Sequence, residues 1–198
     1  MITGQLNFET SAFGMLIVDM VKKDEIRTIV EIGTWNGMGS TRCILEGLKG
    51  KVDYLFHSYE CCDEIYKQAI CNNTTSLGDQ FKIILGKIVN EEDITAWFDD
   101  NDLTTRERGW LKVDLQNMQK VENVLHTVPT SIDLLLLDGG EFSTYPEYQL
   151  LKSRSRIIAL DDTKTRKCKK IKEELLNSNA ELLFESDERK GVAMFKLN

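Results

Sequence analysis

The sequence has few chain breakers and little that would hold a metal or form disulfides. Only two prolines, Pro129 and Pro146, interrupt its 198 residues, and only two histidines, His57 and His126, are present. The five cysteines include no CxxC pair and are odd in number, which indicates neither a disulfide framework nor a zinc site. We therefore expect reduced thiols at Cys43, Cys61, Cys62, Cys71 and Cys168.

Long apolar runs are also missing. No stretch approaches the roughly 18 consecutive apolar residues that a membrane span needs. The first residues lack the basic start and apolar core of a signal peptide, so the expected location is cytoplasmic, without membrane contact. A formal charge of −7 and a pI of about 5.0 mean that the surface repels a phosphate backbone on average. Nucleic acid is therefore a poor candidate partner.

The apolar pattern alternates between strand and helix along the chain. Its length and 41% hydrophobic content predict one domain over residues 1–198, with residues 1–27 forming an N-terminal helical cover around a helix at 7–23. Apolar runs such as Ile132–Leu137, in which Asp133 is the one polar residue, suit parallel strands covered on both faces. We expect a doubly wound, Rossmann-like α/β fold with seven strands, mostly parallel with a C-terminal antiparallel strand, and helices on both faces. The predicted strands are 29–32, 52–59, 81–85, 132–137, 157–160, 181–185 and 192–196.

The segment 90–117 interrupts this pattern with many charged residues. It predicts a helix followed by an irregular excursion, after which residues 115–125 return to helical spacing. One interpretation is a solvated acidic face. The other is a lid or substrate-facing loop that carries Trp110.

Residues 28–41 form the segment best explained as a ligand site. A short apolar run ends at Glu31, and Gly33, Gly37 and Gly39 follow before a helix that starts near Ser40. Glycines allow a tight turn and a close approach of a ligand to the backbone. The free amides of the helix N-terminus would face the same point. A dinucleotide fingerprint would read GxGxxG, whereas the glycines here are spaced GxxxGxG, which argues against a dehydrogenase.

The Glu-Ile-Gly-x-x-x-Gly pattern from Glu31 to Gly37 resembles motif I of the class I S-adenosylmethionine-dependent methyltransferases. The similarity is greatest to the small O-methyltransferases of the catechol and caffeoyl-CoA type. The Ser or Thr of that family comes one residue late here, as Ser40. The resemblance implies S-adenosylmethionine as cofactor, with Glu60 at the end of the second strand binding its ribose. The implied cofactor-binding residues are Glu31, Gly33, Thr34, Trp35, Gly37, Gly39, Ser40, Glu60 and Asp138.

Two later strands end in carboxylates, at Asp138 and at Asp161 and Asp162. In the catechol-type enzymes, residues at these positions bind Mg²⁺ or a similar divalent ion, so the resemblance implies a metal site at all three. Two alternatives stay open: a strand-end Asp that contacts cofactor or substrate without metal, and a helix cap. The lysine that the family uses in catalysis is replaced by Glu141, which is a candidate general base or a metal or substrate contact. The implied catalytic residues are Asp138, Glu141 and Asp161.

The resemblance implies methylation of a hydroxyl on a small-molecule acceptor, assisted by a divalent ion. The alternative is a non-catalytic module or partner subunit that binds S-adenosylmethionine or a nucleoside, and an NAD-dependent oxidoreductase is a weaker third reading. A homodimer is among the expected assemblies. Tyr145 is interpreted as a packing residue or as a wall of the acceptor pocket. A solvated helix face is the favoured interpretation of the basic residues Lys164, Arg166, Lys167, Lys169, Lys170 and Lys172.

Overall fold

The computed structural model describes residues 6–198, the side chain of residue 100 excepted. The helices are α1 (Ala12–Lys22), α2 (Ser40–Gly47), α3 (Asp63–Asn73), α4 (Glu91–Thr95), α5 (Thr105–Met118), α6 (Thr144–Leu151) and α7 (Arg166–Leu176). The strands are β1 (Thr28–Ile32), β2 (Leu55–Glu60), β3 (Phe81–Leu85), β4 (Ile132–Leu137), β5 (Ser155–Asp161), β6 (Glu181–Ser186) and β7 (Val192–Lys196). Within these described residues, no helix is long and apolar enough to cross a membrane.

All seven strands belong to one sheet in the order β3-β2-β1-β4-β5-β7-β6. The first five in this order are parallel, and β7 runs antiparallel to both β5 and β6. This arrangement confirms the predicted Rossmann-like class. The strand order reverses between β1 and β4, and in open α/β sheets ligands bind outside the carboxyl ends of the strands at such a point.

Both faces of the sheet are buried because its central strands carry apolar side chains on both faces. Along β4, Leu134 and Leu136 pack into a core that includes α1 and α2, whereas Leu135 and Leu137 pack into a core with α6 and α7. Successive side chains of a strand point to opposite faces, so a continuous run fills both cores. Each fully buried leucine contributes about 1.5–3 kcal/mol relative to an exposed one.

The segment 90–117 is more regular than the sequence predicted. It forms α4 and α5, and α5 begins with a capping box in which the Thr104 and Glu107 side chains bond each other's backbone amides. A small separate core holds the segment in place; its buried members are Val89, Ile94, Leu103, Met118 and Phe142. The predicted helical spacing over 115–125 was wrong beyond residue 118, where α5 ends.

Several other boundaries differ from prediction. The helix expected over 7–23 begins only at Ala12, where the Ser11 side chain accepts a hydrogen bond from the Gly14 amide. The cover predicted over 1–27 is described from residue 6 onward, and its first five residues lie outside the described chain. Strand β2 begins at Leu55 rather than at 52, because Val52 is 87% exposed and does not join the sheet.

Residue 33 has to be glycine because the turn after β1 passes very close to the backbone at the end of β4. Its φ is +91°, and a Cβ added there would lie 2.2 Å from the backbone oxygen of Asp138. We expect Gly33→Ala to lower the free energy of unfolding by ~3 kcal/mol or more, because backbone strain and a backbone clash add together. Urea denaturation of the purified variant measures this loss.

Gly50→Ala is the matched control. Gly50 has a φ of +82°, but a Cβ added there meets nothing within 4 Å. Only the conformational cost of about 1 kcal/mol remains. Equal losses for the two variants would contradict the steric role of Gly33.

Candidate active site

The turn after β1 lies against the end of β2. The backbone amides of Gly33 and Thr34 both donate to the Tyr59 carbonyl, at 3.0 and 3.1 Å. Positive φ angles at Gly33, Trp35 and Gly37 fold the turn back before α2 begins. The glycine-rich segment is therefore fixed beside the second strand.

Glu31 supports this turn from beneath. Its side chain is fully buried, and its Oε2 accepts hydrogen bonds from Thr41 Oγ1 at 2.7 Å and Ser58 Oγ at 2.6 Å. Burial raises the pKa of Glu31 to about 7, against the hydroxyl hydrogen bonds that lower it. Its Oε1 is buried and has no partner among the described residues. Glu31 thus holds α2 to β1 and β2 and does not line the cleft described next.

A cleft of about 690 Å³ opens at the carboxyl ends of β1, β2 and β4. This volume lies within the range of small-molecule sites. We call it the acidic cleft, because six carboxylates and only two ammonium groups belong to its lining. They are Glu60, Asp114, Asp138, Glu141, Glu147 and Asp162, with Lys167 and Lys190.

Glu60 lies at the end of β2, in the wall of the acidic cleft. Its Oε2 accepts from the Trp35 amide at 2.8 Å and its Oε1 from the Cys62 amide at 2.9 Å. Burial raises its pKa, although these amides lower it. Each oxygen keeps a lone pair, so the fixed carboxylate can still accept hydrogen bonds from a ligand.

The strand ends of β4 and β5 are bridged by Lys167. Its Nζ lies 2.7 Å from Asp138 Oδ1 and 3.2 Å from Asp162 Oδ2. Burial lowers the pKa of Lys167, but the two carboxylates outweigh it and raise the pKa above its ordinary value. Asp162 adopts a left-handed φ of 63°, a conformation that Asp tolerates better than most residues and that places its carboxylate beside Lys167.

The loop between β6 and β7 supplies two more cations and one capping anion. Arg189 contacts both oxygens of Asp161, at 3.1 Å from Nε and 2.9 Å from Nη2. Lys190 Nζ lies 3.4 Å from Asp162 Oδ2. Glu188 accepts hydrogen bonds from the backbone amides of Ala12 and Phe13 at the start of α1. Three consecutive residues therefore connect the site to the N-terminal helix.

These ion pairs test the predicted metal site at Asp138, Asp161 and Asp162. Divalent ions such as Mg²⁺ need free carboxylate oxygens. Each of the three carboxylates is instead paired with a basic side chain. Among the described residues, no group of three or more His, Cys, Asp or Glu side chains is arranged to hold a metal. The donor set as folded does not fit a divalent ion.

A second carboxylate pair lies where α5 meets the loop after β4. Asp114 Oδ2 accepts from the Phe142 amide at 3.2 Å, and a Cβ on Gly140 would lie only 2.8 Å from this oxygen. Burial raises the pKa of Asp114 to about 6; the Phe142 amide lowers it and the charge of Glu141 raises it. Glu141 Oε1 accepts a hydrogen bond from the Lys167 backbone amide at 3.3 Å.

Glu147 is the most deeply buried carboxyl of the cleft wall. The residue is 6% exposed, and its Oε2 has no hydrogen-bond partner among the described residues. Burial, together with the charges of Asp114 and Glu60, raises its pKa to about 8, against a hydrogen bond from Ser143. Glu147 is therefore held largely protonated at neutral pH, and its carboxyl is a hydrogen-bond donor as well as an acceptor.

The predicted site residues divide into two groups. Those in the wall of the acidic cleft are Gly33, Trp35, Glu60, Asp138, Glu141 and Asp162. Those outside its lining are Glu31, Thr34, Gly37, Gly39, Ser40 and Asp161. The ligand roles of both groups stay predictions. Tyr145 packs: its hydroxyl bonds Glu174, and its ring centroid lies 4.9 Å from that of Trp97. Trp110 lies in the cleft wall, on α5 rather than on a loop.

Sequence reasoning missed Lys167, Asp114 and Glu147. The basic residues of α7 were read as one solvated face, which holds for the exposed Lys169 but not for the buried Lys167. The sequence spacing does indicate that Lys167 is buried. It precedes Ile171 and Leu175 by four and eight residues and therefore lies on their buried helix face. Asp114 lay in the segment predicted to be irregular, and nothing in its sequence neighbourhood marked it.

No protein-family model matches the sequence, and a search of curated protein sequences finds no significant match. Solved structures do match. A Podospora anserina methyltransferase bound to S-adenosylhomocysteine has a TM-score of 0.63 at 14% identity, over 93% of this chain and 77% of that one. A Staphylococcus aureus protein assigned as a caffeoyl-CoA O-methyltransferase has a TM-score of 0.61 at 14% identity, over 94% of this chain and 84% of that one. A Streptococcus thermophilus rRNA methylase has a TM-score of 0.55 at 11% identity, over 94% of this chain and 97% of that one.

At such low identity, the similarity establishes the fold alone. The chain has the fold of class I methyltransferases, a class that includes both a caffeoyl-CoA-type and an RNA-type protein among these neighbours. The function of this chain therefore has to be inferred from its own residues.

The buried carboxyl of Glu147 makes stability depend on pH. Its pKa is raised from 4.5 to about 8 on folding, so its contribution is fully present below about pH 4.5 and is lost as the pH rises through 8. We expect Glu147→Gln to remove on the order of 2–4 kcal/mol of the fall in unfolding free energy between pH 5 and pH 8. Urea denaturation at a series of pH values measures this slope, and the exposed Glu25→Gln is the control. Parallel profiles for wild type and Glu147→Gln would rule out the assignment.

Proposed function

We propose that this protein is an S-adenosylmethionine-dependent methyltransferase that methylates a hydroxyl of a small molecule. The observation that carries the proposal is the position of Glu60. Its carboxylate lies at the end of β2, is held by the amide of Trp35 from the glycine-rich turn, and lines the acidic cleft. A fixed carboxylate at this point suits the two hydroxyls of a ribose. S-adenosylmethionine supplies a methyl group on a positively charged sulfur.

The charge of the cleft supports this cofactor over a dinucleotide. Of the six acidic groups in the lining, Glu147 is held largely protonated, and Asp138 and Asp162 are paired with ammonium groups. The remaining carboxylates, Glu60, Asp114 and Glu141, favour a cationic ligand such as a sulfonium and oppose the two charges of a pyrophosphate. The buried Glu31, whose Oε2 accepts hydrogen bonds from Thr41 and Ser58, supports the turn that would lie beside the methionine portion. Charge and glycine spacing thus both favour S-adenosylmethionine over NAD.

The acceptor hydroxyl is proposed to lie between Glu141 and Lys167. Trp35 and Trp110 are 56% and 38% exposed and belong to the cleft wall, so their rings offer apolar surface for the body of a small acceptor. Glu141, adjacent to Asp114, takes the proton of the hydroxyl. As that oxygen bonds to the methyl carbon, the carbon–sulfur bond breaks and its electron pair stays on sulfur. The remaining groups align the acceptor for this in-line displacement.

A nucleic-acid acceptor is less consistent with the charges on α7. Of its basic residues, Arg166 pairs with Glu107, Lys172 with Glu185, and Lys167 with the strand-end carboxylates. These cations are already neutralised and offer little to a phosphate backbone.

Cofactor binding is tested with Glu60→Ala. We expect wild type to bind S-adenosylhomocysteine in isothermal titration calorimetry and NAD not to bind. The variant should lose at least tenfold in affinity, because the ribose hydroxyls lose their acceptor. Exposed Glu64→Ala, on the following helix, is the control, and circular dichroism checks that both variants fold. Unchanged affinity in Glu60→Ala would refute the ribose assignment, and no binding by wild type would refute the cofactor.

Turnover is tested with labelled S-adenosylmethionine and a panel of phenols and other small hydroxyl compounds. For an acceptor that reacts, Glu141→Gln and Asp114→Asn should each lower kcat about 10²-fold or more, with little change in S-adenosylhomocysteine affinity. Glu92→Gln, in the exposed part of α4, is the control. Cofactor binding without turnover across the panel would instead indicate a non-catalytic binding module.

A further inference from the structure

We propose that the ammonium of Lys167 is a built-in substitute for a divalent cation at the ends of β4 and β5, and that it binds the acceptor oxygen directly. The site would then need no metal. The part that concerns the acceptor oxygen rests on the proposed methyl transfer, whereas the part that concerns metal does not.

The geometry of Lys167 is that of a bridging cation. Its Nζ lies 2.7 Å from Asp138 Oδ1 on one strand end and 3.2 Å from Asp162 Oδ2 on the next. β4 and β5 are adjacent parallel strands, so these carboxylates converge. A divalent ion that used both oxygens would have to displace Nζ from the space between them.

The local charges already balance. Asp138, Asp161 and Asp162 carry three negative charges, and Lys167, Arg189 and Lys190 carry three positive ones in direct contact. A divalent ion added to this set would meet no net attraction. Without Lys167, two carboxylate oxygens would face each other with one compensating cation fewer, and a hard cation would be attracted.

Lys167 is also positioned to contact a ligand. An ammonium has three N–H donors, and the two carboxylates engage two of them. The side chain is 11% exposed, and Lys167 belongs to the lining of the acidic cleft. Its backbone amide donates to Glu141 Oε1, and the side chains of both residues line the same cleft. The third N–H can therefore stabilise the negative charge that grows on the acceptor oxygen as Glu141 takes its proton.

The fixed position of Lys167 comes from its place on α7. It shares a helix face with the buried Ile171 and Leu175, so the stem of the side chain is packed while its charged end reaches the strand ends. Lys169, two residues later, lies on the opposite side and is exposed. Lys169→Ala therefore removes the same charge from the same helix without touching the site.

Metal binding is measured first, without reference to catalysis. Mn²⁺ is titrated into wild type, Lys167→Ala and Lys169→Ala, and bound metal is followed by electron paramagnetic resonance and calorimetry. We expect no site in wild type or Lys169→Ala and at least a tenfold gain in affinity in Lys167→Ala. Asp162→Asn added to Lys167→Ala should abolish that gain.

The wild-type titration can overturn the proposal by itself. If wild type binds Mn²⁺ and Asp138→Asn removes the site, Lys167 gives way to a metal and is not its substitute. A failure of Lys167→Ala to gain affinity would count against the proposal as well. If Lys167→Ala does not fold, Lys167→Met, which keeps the packed stem, replaces it in the same measurement.

Methyl transfer provides the second readout. With an acceptor that reacts, EDTA should leave the wild-type rate unchanged, and Lys167→Ala should lose at least tenfold in kcat while binding S-adenosylhomocysteine normally. Added Mg²⁺ or Mn²⁺ should restore part of that loss in the variant and do nothing for wild type. Inhibition of wild type by EDTA, reversed by Mg²⁺, would refute the proposal. If no cofactor binds at all, the proposed function fails while the Mn²⁺ result still decides the metal question.

Discussion

The close contact between Gly33 and the backbone of Asp138 is the constraint on which the site depends. With no side chain at residue 33, the first turn passes directly over the end of β4. The turn can then reach the Tyr59 carbonyl and bring Trp35 to the Glu60 carboxylate. The ends of β1, β2 and β4 thus form one wall, and the ligand-facing groups of three strands lie within a single cleft.

The fold was largely predictable because the sheet is buried on both faces. Runs such as Ile132–Leu137 admit few other arrangements, and the antiparallel strand at the C-terminus was also identified. Helix boundaries were less predictable. Residues 105–118 are rich in charge and bury little, so the helix there depends on the capping box of Thr104 and Glu107 and on packing around Phe142.

The candidate site was predictable at the strand ends and in the turns that follow them. Glu60, Asp138 and Asp162 were identified from strand ends, and all three line the cleft. What these carboxylates contact could not be read in the same way. Lys167 and Arg189 reach them from a helix face and a hairpin loop that are distant in sequence from β4. The family resemblance implied a metal at these acids, whereas in the folded chain basic side chains pair with them.

The loop from Glu188 to Lys190 has a consequence for the order of folding. Glu188 caps α1, Arg189 pairs with Asp161, and Lys190 pairs with Asp162. The loop leads into β7, which lies between β5 and β6 in the sheet. The central parallel strands can pair as soon as they are synthesised, but β5 remains an open edge until the last strand is available. The capping of α1 by Glu188 and the ion pairs of Asp161 and Asp162 with Arg189 and Lys190 therefore require a loop that is synthesised after all five parallel strands.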